Sequence, residues 1–420
     1  MARRVRETIG EAQQVDDHWG RRMTRRALLL ATASAALAAC GGSVATGESG
    51  PTRAAPGTVP SGAATAPTAP DPSPASLVPA AGTSFGVNLD WAHDTAAAFN
   101  TRLGMKAAAY VQFVSFPLGD GERTILDQFF AQVAAQRGLA VVTLQPTIPL
   151  AQITPAMADD LAAYLARYND RGTGALVRFA HEMNGDWYPW SQQPEAYVAA
   201  FRGVAAAVHR TARGSGMLWA PNYGGGYPFS GGAYGVKPGT PDFARLDTNH
   251  DGKLDGADDP YTPYYPGDDA VDWVGLSLYH WGNVYPWGKN VIPEDHKFSD
   301  QISGSYNGLN GDDRGVPDFY TTFAAGHARP MAIVETAALY NPSVGGDDEL
   351  AIKQAWWRQV FAPEIATRFP SIKLINWFEW RKPESEIGGT TIDWTVTLTP
   401  RIREAFRADF PRDRFNLGGT

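Results

Sequence analysis

Eight short apolar runs recur from residue 83 onward, and segments with helical periodicity separate most of them. The runs begin at Phe85, Ala109, Leu139, Ala175, Gly216, Val271, Met331 and Ile372. Short apolar runs that alternate with amphipathic helices are typical of a parallel α/β fold. Because eight parallel strands close into a cylinder, the pattern predicts a (β/α)8 TIM barrel over residues 83–415.

An open doubly wound sheet is the structural alternative. It favours a glycine-rich phosphate turn after the first strand, and the sequence there, "NLDWAHD", has no glycine. Residues 223–270, between the fifth and sixth strands, have no clear helical pattern and are rich in Gly, Tyr, Pro and Asp. Since the βα-loops of a barrel form its active face, this long insertion in the loop after strand 5 is expected to shape a site.

The amino terminus has the pattern of an export signal. In "TRRALLLATASAALAAC", residues 24–40, two arginines precede an apolar run over 27–39. This run is shorter than the roughly 20 residues that cross a bilayer, so residues 1–39 are predicted to be a signal peptide. The arginine pair resembles a twin-arginine (Tat) signal, with the general secretory (Sec) route as the alternative. "LAAC" resembles a bacterial lipobox, in which Cys40 is lipidated.

The amino-terminal features also predict the cellular location of the protein. Cys40 is the only cysteine of the chain, and the alternative for it is a buried thiol. Residues 40–82 are rich in Ala, Pro and Thr and are predicted to form a disordered tether. We expect an exported lipoprotein on the outer face of the cytoplasmic membrane, or a secreted protein, which contacts membrane only through its lipid. The net charge of −8 and the lack of a basic stripe argue against a nucleic-acid partner. We expect a monomer.

Two carboxylates fall where barrel enzymes carry functional groups. Glu182, in "RFAHEMNGDWYPW", ends the fourth apolar run, and Glu335, in "MAIVET", ends the seventh. A buried carboxylate without a partner is unfavourable, so each is paired, protonated or open to a cleft. Either one alone fits a structural acid with an Arg or His partner. Two at one mouth favour glycosidic bond cleavage, which needs one protonated and one ionised carboxyl group.

The segment "RFAHEMNGDWYPW" resembles the signature of glycoside hydrolase family 26, a family of clan A retaining glycosidases. "LWAPN", "YYPGDDAVDWVGLSLY" and "MAIVET" resemble the fifth, sixth and seventh strand segments of that family. The likeness extends over roughly residues 85–410. It implies that Glu182 is the proton donor and acid/base, and that Glu335 is the nucleophile.

The same resemblance implies substrate-binding residues: His181, Trp187, Trp190, Asn222, Tyr279, Trp377 and Trp380. Tyr279 is expected to hydrogen-bond to the nucleophile, and Trp187 and Trp190 to form sugar platforms. Trp377 and Trp380 are alternatives for the floor of the central subsite, since residues three apart face opposite sides of a strand. The alternative for each aromatic residue is a place in the core.

The polymer is less constrained than the chemistry. Endo-acting cleavage of β-1,4-mannan is placed first because it is common in the family, with mixed-linkage β-1,3-1,4-glucan and β-1,3-xylan as alternatives. Pro189 in "WYPW" stands where mannanases often carry an aromatic residue, which weakens the mannan prediction. A transglycosylase uses the same residues. A surface lipoprotein that binds polysaccharide without cleaving it is the alternative of another class.

The insertion contains "DTNHDGKLDGAD", residues 247–258, which resembles an EF-hand-type calcium loop. Six residues present oxygen atoms at ligand spacing: Asp247, Asn249, Asp251, Lys253 through its carbonyl, Asp255 and Asp258. The pattern predicts a structural Ca²⁺ that orders the loop, and no cofactor is expected for catalysis. Asp258 replaces the usual glutamate, and no clear helices flank the loop. A solvated acidic turn is the alternative.

Overall fold

The computed structural model describes residues 77–229, 231–309 and 311–418. The predicted signal peptide, Cys40 and most of the predicted tether lie outside these residues. Leu77 and Val78 are described, and they pack against buried apolar side chains inside the barrel. The packed domain therefore begins ahead of the predicted tether boundary at residue 82.

Eight parallel strands form a closed barrel. They are β1 Thr83–Leu89, β2 Ala109–Phe116, β3 Leu139–Pro146, β4 Ala175–Phe179, β5 Ser215–Trp219, β6 Trp273–Ser277, β7 Met331–Thr336 and β8 Ile372–Glu379. Each strand pairs with the next in parallel, and β1 pairs with β8 to complete the circle, with Asn88 opposite Phe378. The (β/α)8 prediction is confirmed, and all eight predicted strands are present.

Helices connect and surround the strands. They are α1 Ala96–Leu103, α2 Asp120–Gln136, α3 Pro155–Asn169, α4 Pro194–Thr211, α5 Pro241–Leu246, α6 Lys297–Ile302, α7 Glu349–Val360, α8 Pro363–Arg368 and α9 Pro400–Asp409. Capping residues set their starts: Thr154 accepts a hydrogen bond from the Met157 amide before α3, and Asp348 caps α7. No helix within the described ranges is both long enough and apolar enough to cross a membrane.

Shorter elements complete the chain. Single turns of 3₁₀ helix lie at Leu150–Gln152, Thr262–Tyr264 and Ser385–Ile387, and a π-helix spans Tyr320–Ala325. Asn307–Gly308 pairs with Gly311–Asp312, Arg381–Glu384 pairs with Thr390–Asp393, and Phe415–Asn416 joins β1. The expectation that residues 223–270 lack a helix is corrected by α5. Thr240 caps it by accepting from the Phe243 amide, and Pro241 has the fixed φ that favours a helix start.

The barrel interior is apolar below and polar at the mouth. Small and branched side chains fill the lower part, among them Val111, Val141 and Leu176. Alternate residues of a strand share a face, so Arg178 on β4 lies one layer above Leu176. The interior therefore changes from packed hydrocarbon to buried charge at the ends of the strands.

Candidate active site at the barrel mouth

Arg178 is a fully buried arginine at the centre of the mouth. Its Nη1 donates to Oε1 of Glu335, and its Nη2 donates to Oγ of Ser277 at 2.8 Å. The same Nη2 lies 3.9 Å from Oε1 of Glu182. Arg178 therefore binds Glu335 directly and lies within ion-pair distance of Glu182, between the two predicted catalytic carboxylates.

A β-bulge directs Glu335 into the mouth. Ile333 lies opposite Leu276 of β6, but the next pair is Glu335 with Ser277, so β7 has one extra residue there. The neighbouring ladder with β8 is also shifted after Ile333. An extra residue breaks the strict alternation of a strand and re-aims the side chain that follows it. Glu335 therefore reaches Arg178 although the inward-facing Val334 immediately precedes it.

Both carboxylate oxygens of Glu335 accept hydrogen bonds. Arg178 binds Oε1, and Oη of Tyr279 donates to Oε2 at 2.5 Å. Burial and the charge of Glu335 raise the pKa of Tyr279 far above its usual value, so the phenol keeps its proton and remains a donor. These two contacts hold the carboxylate in one orientation, with Tyr279 in the position that the sequence predicted for it.

Glu182 lies in a strained turn. β4 ends at Phe179, so Glu182 falls three residues beyond the strand rather than at its last position. Ala180 and Glu182 have φ values of 45° and 53°, a region that side-chain-bearing residues rarely adopt. The Glu182 amide donates to the carbonyl of Ala220 at 3.0 Å, which ties the turn to the end of β5. Strain of this kind persists where the surroundings fix a functional side chain.

The surroundings of Glu182 favour its protonated form. Burial, and then the charge of Glu335, raise its pKa to about 7, while Arg178 opposes this shift. Nε1 of Trp187 donates to Oε2 of Glu182 at 3.2 Å. The carboxyl group therefore carries a proton over much of the range below neutral pH, which suits a general acid.

Trp187 connects the acid to the insertion after β5. Its ring lies over Gly185, where a Cβ atom would come within 2.5 Å of it. Phe229 of the insertion meets the ring edge-on, with centroids 5.2 Å apart. Gln192 bonds to the insertion twice, through the Pro228 carbonyl and the Val236 amide, both at 2.7 Å. The insertion thus packs against the Glu182 loop, and Trp187 stays partly exposed beside it.

His181 and Trp190 lie beneath the site surface. His181 is buried, its Nε2 lies 3.2 Å from Oη of Tyr188, and burial lowers its pKa well below the usual value, so the ring is neutral. Trp190 is 4% exposed, donates to the His181 carbonyl at 2.8 Å and stacks on Tyr188. The prediction of Trp190 as a sugar platform is corrected, because Trp190 is packed behind Tyr188. The partly exposed Tyr188 was not singled out from the sequence.

The register of β8 decides between the two strand-eight tryptophans. Trp377 is fully buried against Phe361 and Phe406, outside the barrel. It is therefore corrected from a substrate contact to a core residue. Trp380 is partly exposed and stacks on Phe378, and its Nε1 donates to Asn88 at 3.1 Å. Trp380 is the remaining candidate for the floor of the site.

Asn222 lies at the end of β5, next to the acid/base loop. Its amide donates to Oδ1 of Asn184 at 2.9 Å, and Nδ2 of Asn184 donates back to the Asn222 carbonyl at 2.8 Å. The side-chain amide of Asn222 is partly exposed and donates to the Tyr223 carbonyl. The backbone of Asn222 thus clamps two loops together, and its side chain stays a predicted contact.

Comparison with known proteins gives two sequence relatives. No family model matches the chain. It is 25% identical over 258 residues to endoglucanase H of Acetivibrio thermocellus, covering 60% of this chain and 21% of that protein. It is 25% identical over 156 residues to mannan endo-1,4-β-mannosidase A and B of Caldalkalibacillus mannanilyticus, covering 35% of this chain and 22% of that protein. The chain spans less than a quarter of the length of either relative.

A solved structure gives the fold. A GH26 β-mannanase from Bacteroides ovatus matches with a TM-score of 0.51 and 12% identity, covering 81% of this chain and 91% of that chain. The chain shares the (β/α)8 fold of that enzyme. The resemblance noted in the sequence is confirmed at the level of the fold, and the barrel brings Glu182 and Glu335 to one mouth around Arg178.

The carboxylates of the predicted calcium loop accept hydrogen bonds from backbone amides of the same loop. Asp247 accepts from the amides of Asp251 and Gly252, and Asp258 accepts from the amides of Thr248 and Asp255. No group of three or more His, Cys, Asp or Glu that could hold a metal is found in the described part of the chain. The structural calcium ion at this loop stays a prediction.

Proposed function

We propose that the protein is a retaining endo-β-glycoside hydrolase that cleaves a β-glycan by double displacement. The observation that carries this proposal is the pair Glu182 and Glu335, which contact one buried guanidinium but have opposite surroundings. Glu182 has a pKa of about 7 and meets a neutral donor, whereas Glu335 accepts from Arg178 and Tyr279. One acid and one oriented carboxylate are the groups that this reaction requires.

In the first step, a carboxylate oxygen of Glu335 attacks the anomeric carbon while Glu182 donates its proton to the glycosidic oxygen. The bond from the anomeric carbon to that oxygen breaks, and the leaving sugar departs with the proton. An ester between the substrate and Glu335 remains. Arg178 and Tyr279 hold the Glu335 carboxylate in one orientation, which lowers the entropic part of the activation free energy.

In the second step, the ionised Glu182 removes a proton from a water molecule, and the water oxygen attacks the anomeric carbon. The ester bond breaks, the Glu335 carboxylate is released, and Glu182 is protonated again. Two inversions at the same carbon leave its configuration unchanged. This cycle requires that Glu182 exchange a proton near neutral pH, which its raised pKa supports.

We propose β-1,4-mannan as the first candidate for the substrate polymer, with mixed-linkage β-glucan or β-1,3-xylan as the second. The names of the two relatives, a mannan endo-1,4-β-mannosidase and an endoglucanase, support a β-linked polysaccharide. The exposed Pro189 keeps the mannan assignment open. The test is incubation of purified protein with galactomannan, lichenan and β-1,3-xylan, with product sizes followed over time.

We expect one polymer to yield mixed oligosaccharides from the first minutes, as endo action requires, and Glu335→Gln to yield none. Retention of a polymer on the protein without new reducing ends from any of the three would support the polysaccharide-binding lipoprotein instead. When a defined β-oligosaccharide is the substrate instead, a predominance of products longer than that oligosaccharide would indicate a transglycosylase.

We further propose a structural calcium ion at residues 247–258, supported by the ligand spacing alone. The carboxylates of Asp247 and Asp258 accept backbone amides and keep further lone pairs that could coordinate the ion. Calcium should raise the melting temperature by mass action, and Asp251→Ala should remove that increase. No heat of binding at millimolar calcium would leave the loop as a turn.

We also propose that the protein is an exported, lipid-anchored monomer of the cell envelope. The signal-like segment and Cys40 support the anchor, which lies outside the described residues. Cys40→Ala should release the protein from the membrane fraction with its specific activity intact. Soluble, unacylated wild-type protein would contradict the anchor, and a dimer mass in solution would contradict the monomer.

A further inference from the structure

The segment 281–291 after β6, here the β6 loop, is irregular but firmly held. Nζ of Lys297 donates to the Gly282 carbonyl at 2.7 Å, and Nδ2 of Asn341 donates to the Gly288 carbonyl at 3.0 Å. A ring nitrogen of His280 lies 2.8 Å from the Val291 carbonyl. All three side chains are at least nine-tenths buried. The loop is therefore fixed from beneath, and its outer surface is formed in advance.

That outer surface is aromatic and apolar. Tyr285 is 66% exposed and Val284 is 47% exposed. The ring of Tyr285 meets the partly exposed Trp287 edge-on at 5.8 Å, and Trp287 lies close to the backbone at Gly282. Large apolar side chains held out to solvent add nothing to folding, and contiguous ones mark binding surfaces.

A cavity of about 220 Å³ lies in this loop, lined by Trp281, Trp287, Asn283 and Lys289 among others. It is smaller than the roughly 300–1,000 Å³ of sites for drug-sized ligands, so it suits one small ring rather than an extended molecule. Oδ1 of Asn283 is buried and has no hydrogen-bond donor among the described residues, while its Nδ2 donates to the Ile292 carbonyl. A rotation of the Asn283 side chain would bring this oxygen to the cavity, where a hydroxyl group could donate to it.

One wall of the cavity contacts the candidate active site through aromatic rings. Trp281, one of its walls, packs against Tyr279 with ring centroids 6.2 Å apart and against Trp394 at 4.9 Å. Tyr279 is the residue that donates to Glu335. A row of rings therefore leads from the proposed nucleophile to the β6 loop.

We propose that this cavity is a sugar-binding subsite that holds one pyranose unit of the β-glycan, away from the bond that is cleaved. Trp281 and Trp287 would face the apolar C–H surfaces of the ring, and Asn283 and Lys289 would bond to its hydroxyl groups. The inference rests on the proposed glycosidase function and deepens it. It predicts that longer substrates gain affinity from the β6 loop and that short ones gain little.

The test compares Trp287→Ala with the wild type on mannohexaose and on an aryl β-mannobioside, or on the matching pair for the polymer that is cleaved. We expect kcat/KM to fall about ten-fold for the hexasaccharide through KM, and by less than about two-fold for the bioside. Trp287→Phe keeps a ring and should recover most of the loss. Melting curves of both variants should match the wild type.

Equal losses on the two substrates, or no loss on either, would overturn the subsite. Titration of mannohexaose into Glu335→Gln, with and without Trp287→Ala, measures binding without turnover and should show the same ten-fold difference. If wild-type protein cleaves neither substrate and the hexasaccharide still binds through Trp287, the proposed function fails while the subsite stands.

Discussion

Glu182 and Glu335 are the same residue type at the same barrel mouth, and both contact Arg178, yet their surroundings are opposite. Glu335 is aimed by a bulge and accepts from a guanidinium and a phenol. Glu182 lies in a strained turn, meets an indole N–H, and has a pKa raised to about 7 by burial and by Glu335. The chemical role of each carboxylate is therefore set by its partners, so removing a carboxylate and removing one of its partners should have effects of different size.

The largest effect is expected from Glu335→Ala. Without the carboxylate no ester forms, so turnover of the polymer should fall by at least about 10⁴-fold. Added azide fits the space left by the side chain and should restore turnover through a glycosyl azide of inverted configuration. Glu195→Ala, an exposed glutamate in the first turn of α4, is the control and should keep full activity. A polymer rate close to wild type in Glu335→Ala would move the nucleophile elsewhere.

Glu182→Ala should separate substrates by their leaving groups. Cleavage of the polymer needs protonation of the leaving oxygen, so its rate should fall by about 10²–10⁴-fold. A dinitrophenyl glycoside leaves without a proton, and its first step should fall far less. The measurement is the pre-steady-state release of dinitrophenol beside the steady-state polymer rate. Equal losses on both substrates would mean that Glu182 does not act as the acid.

Tyr279→Phe removes one donor from Glu335 and leaves the other. Loss of a single oriented donor in a buried site commonly lowers the rate by about 10²-fold, and we expect a loss of this size in kcat. The structure should stay folded, because the ring contacts to Trp281 and Trp394 are retained. Arg178→Lys offers the complementary test, since it perturbs both carboxylates and should lower activity further than Tyr279→Phe. The reverse order would contradict the central place given to Arg178.

The smallest effect is a shift in pH dependence. Glu182 loses its proton as the pH rises through about 7, so kcat/KM should fall about ten-fold per unit above that value. Trp187 lowers the pKa of Glu182 by its hydrogen bond, so in Trp187→Phe the fall in kcat/KM should occur at higher pH. A raised folded-state pKa means that stability is lost as the pH rises towards 7, so Glu182→Gln should melt higher than wild type at pH 8 and not at pH 4. If kcat/KM falls at the same pH in Trp187→Phe as in the wild type, Glu182 is not the group whose titration causes the alkaline decline.

More of the fold than of the candidate site could be predicted from the sequence. Apolar runs separated by helical periodicity predicted the eight strands, because this alternation is a local property of the chain. The direction of the Glu335 side chain depends on a bulge against two neighbouring strands. The burial of Trp377 depends on the register of β8, and the burial of Trp190 depends on its packing against Tyr188. Those are properties of pairing between distant segments, which a single sequence leaves open.

Arg178 was missed for a different reason. It stands in the quoted motif, four residues before Glu182, and a lone arginine in an apolar strand is a usable signal of a buried ion pair. The calcium loop stays a prediction, since its spacing of acids matches a metal loop and its carboxylates also accept backbone amides. Spacing along the chain identifies which groups are near, and only the fold identifies what they bond to.

The central claim is that Glu335 attacks the anomeric carbon and that Glu182 acts from the opposite side. Proton NMR of the first products, recorded within the initial minutes of hydrolysis before mutarotation, tests it most directly. We expect the anomer released first to be the β-anomer, the configuration of the bond that was cleaved. An α-anomer released first would show a single inversion, and would contradict the assignment of Glu335 as a nucleophile.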